Sequence, residues 1–94
     1  MVKRIVERLE AVLAELDALS EACGSPEALE DLNAEFEDAL MMLSDIDPRE
    51  KGWEEELSDA LEELRALAGD YRKLAPVIPS LNALAARLEQ AAKE

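Results

Sequence analysis

Apolar residues recur along this chain at seven-residue intervals, and the pattern is interrupted at glycine and proline positions. In the first segment Val2, Leu9, Leu16 and Cys23 share one position of the repeat. Ile5, Val12 and Leu19 hold the position three later, and Val6, Leu13 and Ser20 the one after that. Side chains spaced by three and four residues lie on one face of a helix, so the segment predicts an amphipathic helix. Gly24 ends it, because glycine accepts the left-handed conformation that commonly closes a helix.

Ser25-Pro26-Glu27 restarts the pattern, with Ser as N-cap, Pro at the first helical position and Glu at the positive end of the dipole. In this second helix Leu29, Phe36 and Leu43 form one row. Leu32, Ala39 and Ile46 form the next, and Asn33 and Leu40 a third. Asp47-Pro48 is another cap-and-proline start, although Gly52 leaves the boundary open by several residues. The third helix aligns Leu57, Leu64 and Tyr71, with Trp53, Ala60, Leu67 and Leu74 beside them and Leu61, Ala68 and Ala75 flanking.

Pro76 and Pro79 then interrupt, each removing a backbone hydrogen bond at a cost of about 3 kcal/mol inside a continuous helix. The register slips here, and Val77, Leu81, Leu84 and Leu88 fit a new row. This predicts a tight turn and a fourth helix from about residue 77 to 92. The competing reading is one kinked helix in a three-helix bundle, with Ile78, Leu81, Ala85, Leu88 and Ala92 carrying the old stripe onward. Short joints between helices of similar length force antiparallel neighbours. The expected fold is therefore all-α, an up-down-up-down four-helix bundle forming one domain over residues 1–94.

Composition sharpens this picture. Ala, Leu and Glu dominate and Thr is absent, which favours helix throughout. The net charge is −13, with 23 acidic residues against 10 basic ones. Phosphate backbones and anionic membranes are bound by clustered Lys and Arg, so neither is an expected partner. A basic protein or a second copy of the chain fits better. No apolar run reaches the roughly 18 residues of a membrane span, and Met1 to Arg8 lacks the features of a signal peptide. A soluble, cytoplasmic protein is the expectation.

Candidate chemistry is sparse. There is no histidine, which removes the commonest general base and metal ligand together. Cys23 is the one cysteine, so no intrachain disulfide or cysteine cage is available. Its place on a core row near a helix C-terminus predicts a packed, unreactive thiol. The runs Glu54-Glu55-Glu56 and Glu62-Glu63 fall on or beside the outward face, and no glycine-rich phosphate loop is present. No catalytic, cofactor-binding or metal-binding residue is assigned, and no cofactor is expected.

Two features stand out from this background. Antiparallel threading gathers Ser20, Cys23, Asn33, Tyr71 and Asn82 at one end of the bundle. They predict a hydrogen-bonded layer that fixes register or, with Asn33, Tyr71 and Asn82 as its lining, a small polar pocket. The second helix carries Glu27, Glu30, Asp31, Glu35, Glu37, Asp38 and Asp45 with no Lys or Arg. Met41 lies on its outward face and Met42 at the edge of its stripe. Met41, Met42, Glu35 and Asp38 are thus candidates for a partner surface.

The near-uniform heptads, the Ala/Glu/Leu filling, the Gly24-Ser25-Pro26-Glu27 joint and Asp47-Pro48 make the chain resemble a computationally designed helical bundle. That resemblance implies a structural objective and no evolved biochemical activity, and so no enzyme. Cys23, the Met41-Met42 pair and Gly69 inside the third helix depart from that style. In size and acidity the chain is also similar to the small helical chaperones of flagellar or type III export. That likeness implies a natural interaction module working through its second helix.

Overall fold

The computed structural model describes residues 2–92, with side chains from Lys3 onward. Residues 1, 93 and 94 of the expected domain, and the core place given to the Val2 side chain, lie outside the described residues. Four helices follow one another: α1 Val2–Ala22, α2 Glu27–Asp45, α3 Trp53–Leu74 and α4 Leu81–Ala92. No strand occurs among the described residues. Each helix packs on its chain neighbours, α4 closes the ring against α1, and the diagonal pairs do not meet. The result is the up-down-up-down four-helix bundle, a rod of 43 × 18 × 18 Å.

The heptad rows become the core. Leu9, Leu16, Leu29, Phe36, Leu43, Leu64 and Tyr71 are each at most 1% exposed. Burying such side chains supplies about 1.5–3 kcal/mol apiece, which is what holds marginal helices in place.

The first joint closes α1 at Gly24 as its sequence predicts, but the residues on either side take other places than expected. Gly24 takes φ 80. The Ser25 N–H then donates to the Ser20 carbonyl at 2.7 Å, and the Gly24 N–H to that of Glu21 at 3.2 Å. This is the six-to-one and five-to-two pairing of a Schellman motif. Cys23 becomes the residue that caps α1, and it is exposed rather than packed. Ser25 adopts φ 53 and does not cap α2; that position falls to Pro26, and no side chain bonds the free amides there.

The second joint is a turn, not the start of α3. The Arg49 N–H donates to Asp47 Oδ1 at 2.9 Å, and the Glu50 N–H to the Asp47 carbonyl at 3.0 Å. Asp followed by Pro suits the first two places of such a turn. The Arg49 side chain, and then its backbone amide, hold the Asp47 carboxyl below the usual range. Gly52 at φ 86 is the N-cap of α3, its carbonyl accepting from the Glu56 N–H at 3.2 Å, and the helix begins at Trp53.

Pro76 and Pro79 do separate α3 from α4, but α4 starts at Leu81 and is only 12 residues long. Val77 therefore lies in the turn, 81% exposed, and drops out of the row assigned to it, whereas Leu81 and Leu88 of that row are buried and Leu84 is half-buried. The buried face of α4 is Leu81, Ala85, Leu88 and Ala92, with Leu84 half-buried. Ala85 and Ala92 come from the continued stripe, Leu84 from the new row and Leu81 and Leu88 from both, while Ala91, also buried, is in neither. Arginines reinforce the docking. Arg65 Nη1 donates to the Ala92 carbonyl at 3.2 Å, Arg72 pairs with Glu89 on α4, and Arg87 of α4 pairs with Glu15 on α1.

Candidate functional site

The predicted polar layer forms in part. Tyr71 is fully buried, and its hydroxyl donates to Asn33 Oδ1 at 2.7 Å. Asn33, 6% exposed, donates through Nδ2 to Asp17 Oδ1 at 3.3 Å. One side chain from each of α1, α2 and α3 is thereby tied at a fixed level. Burial raises the Tyr71 hydroxyl above its ordinary value, and the carboxylates of Asp17 and Glu35 push it further. Tyr71 stays a neutral donor at physiological pH. Its proton is committed to Asn33, an arrangement that pins register and offers no acid or base.

Two of the residues expected in this layer are elsewhere. Asn82 is exposed, because α4 begins one residue before it and turns it outward. Cys23 is exposed at the joint, where it lines an apolar cleft with Leu29, Leu74 and Ile78. Ser20 is buried as expected, 5% exposed. It stands at the base of a groove of about 400 Å³ between α1 and α2, with Asp17, Glu21, Glu30, Asn33 and Glu37 around it. Sequence reasoning missed Asp17 and these carboxylates. The signal was the joint itself: residues equidistant from Ser25, such as 17 and 33, face each other across an antiparallel pair.

The α2 candidates are exposed as expected. Met41 is 61% exposed and Met42 51%. Glu35, Asp38, Met42 and Asp45 follow one another at intervals of three and four residues, so they form one stripe along the helix. At its lower end Met42 and Ile46 floor a cleft of about 290 Å³ between α2 and α3, rimmed by Asp45, Glu56 and Asp59. Two apolar side chains thus sit inside a ring of carboxylates.

Among the described residues no group of three or more His, Cys, Asp or Glu side chains is arranged to hold a metal ion. Nor is any of their helices long and apolar enough to cross a membrane. No protein-family model, no curated protein and no solved structure matches this chain.

Proposed function

We propose that this protein works through its outer surface, as an acidic helical module whose α2–α3 edge receives a basic amphipathic helix from a partner protein. The observation that supports it is the cleft at Met42 and Ile46 with Asp45, Glu56 and Asp59 around it. Methionine adapts its shape to varied apolar partners, and a carboxylate rim selects Lys and Arg beside them. Glu35 and Asp38 extend the same stripe along α2. The interior serves the fold instead. Tyr71 is the one ionisable residue buried as a whole among the described residues, and its hydroxyl is held by Asn33.

A synthetic helical peptide of leucine and lysine, labelled for fluorescence anisotropy, tests this reading. It should bind the intact chain, with affinity falling as salt rises. Met42→Glu together with Ile46→Gln should weaken it about tenfold or more, given that each 1.4 kcal/mol is a factor of ten. Equal binding of a scrambled peptide with the same charge would sink the proposal.

The regular core rows favour a second reading, in which the chain is a designed scaffold with structure as its sole objective. That reading expects a midpoint of thermal unfolding above about 90 °C and no preference for the amphipathic peptide over its scramble.

A further inference from the structure

Opposite edges of the rod carry matching features. The α1–α4 edge lies across the bundle from the α2–α3 edge, because the helices form a ring whose diagonal pairs do not meet. It holds a groove of about 320 Å³ with Ala11, Val12 and Ala91 as its floor and Arg8, Arg87 and Gln90 at its sides. In a chain with 23 acidic and 10 basic residues, a groove lined by two arginines and no carboxylate stands apart. The alanines leave room on its floor for an apolar side chain arriving from outside.

The spacing of its charges says what fits. Arg87 pairs with Glu15, which lies seven residues beyond Arg8 on α1. The two arginine positions therefore stand two helical turns apart, about 10.5 Å along the groove. Asp38 and Asp45 are also seven residues apart on α2, again about 10.5 Å, with Met42 exposed between them. Seating Met42 over the alanines brings the two aspartates level with the two arginines. Arg87 is half-exposed, and its pair with Glu15 occupies only part of a guanidinium's five donors. One side of the rod, 43 × 18 Å, matches in size the roughly 800 Å² that each partner buries in a stable protein interface. At physiological salt the screening length is about 8 Å, shorter than the 18 Å width, so charges on the far sides of two touching copies scarcely interact. We infer that the α1–α4 groove receives the Met42 stripe of a second copy of this chain. The two surfaces differ and face opposite ways, so each contact leaves one of each unused and the assembly is open-ended. The inference rests on the proposed function only in taking the Met42 stripe as a binding surface.

Sedimentation velocity of the intact chain at physiological salt tests it. The average mass should rise above 10.4 kDa as concentration approaches the order of 1 mM, and pass that of a dimer. Arg8→Ala with Arg87→Ala should weaken association about tenfold or more, and so should Asp38→Ala with Asp45→Ala. An equimolar mixture of these two double variants should form a dimer and stop there, because only one intact contact can be made. Ala11→Glu, which removes no ion pair, should abolish association while circular dichroism shows full helix content. A mixture no heavier than its components, or Ala11→Glu associating like the parent, would overturn the inference. If the parent stays monomeric while the leucine–lysine peptide still binds it, this inference falls alone; if neither association nor peptide binding occurs, the reading of the Met42 stripe falls with it.

Discussion

The helices α2 and α4 occupy opposite places in the ring and use charge in opposite ways. Helix α4 has 12 residues, and its one Arg and one Glu are both engaged in ion pairs across to neighbouring helices. Helix α2 has 19 residues and seven carboxylates without a single basic residue, all seven turned to solvent. Its attachment rests on Leu29, Phe36, Leu43 and the Asn33 node instead. The short helix too is held by apolar burial, of Leu81, Ala85, Leu88, Ala91 and Ala92, and adds half-exposed ion pairs at its edges. The long one leaves its charge free to act on other molecules.

The hardest blow to this contrast comes from the core. Phe36→Ala should cost about 3–5 kcal/mol in urea unfolding, and Leu88→Ala about 2–5 kcal/mol. The two should differ in extent. Hydrogen exchange in Phe36→Ala should rise in all four helices, whereas in Leu88→Ala it should rise first across Leu81–Ala92. Uniform exchange in both variants would break the distinction.

Tyr71→Phe ranks next, at about 1–3 kcal/mol, because it strands the Asn33 carbonyl oxygen in the core. It also carries a pH signature. Below pH 10, the ordinary tyrosine value, folded and unfolded chains both keep the proton. Above it the unfolded chain releases the proton while the buried hydroxyl, with its raised value, does not. Stability is then lost as pH rises, by up to about 1.4 kcal/mol per unit. Denaturant titrations at pH 9 and 11 should show a loss in the parent that is smaller in Tyr71→Phe.

Smaller effects sharpen the comparison. Arg72→Ala and Arg87→Ala remove half-exposed ion pairs and should each cost about 0.2–1 kcal/mol at low salt, an amount that shrinks in 1 M salt. Met41→Gln should change stability by less than about 0.5 kcal/mol, since the side chain is 61% exposed. A larger loss would show that the α2 edge is a structural element.

Most of the fold is legible in the sequence because burial obeys periodicity. Leu9, Leu16, Leu29, Phe36 and Leu64 repeat at intervals that only a helix brings to one face, and all are buried. Failures cluster at the joints, where periodicity no longer operates. Extending a row past the point where backbone geometry ends it misplaces Cys23, and starting α4 four residues early misplaces Val77. Asn82 is misplaced because α4 starts later than its prolines suggest. The candidate site is half legible. Asn33 and Tyr71 are visible as polar residues among apolar rows. Asp17 is not, because a carboxylate beside a stripe looks like any other solvated one until its opposite number across the joint is known. Cross-helix pairs such as Arg87 with Glu15 depend on side-chain reach between non-sequential helices, which no single segment encodes.

The lopsided distribution between α2 and its neighbours gives the whole rod an electric moment across its short axis. In dilute salt a cationic body approaching from any direction feels a torque that swings α2 toward it before contact, which raises the encounter rate. The pull reaches about 30 Å at 0.01 M salt and only about 8 Å at physiological strength. Orientation in flight is therefore set by the ionic medium, and the same molecule meets cations α2-first in dilute buffer and almost at random in brine.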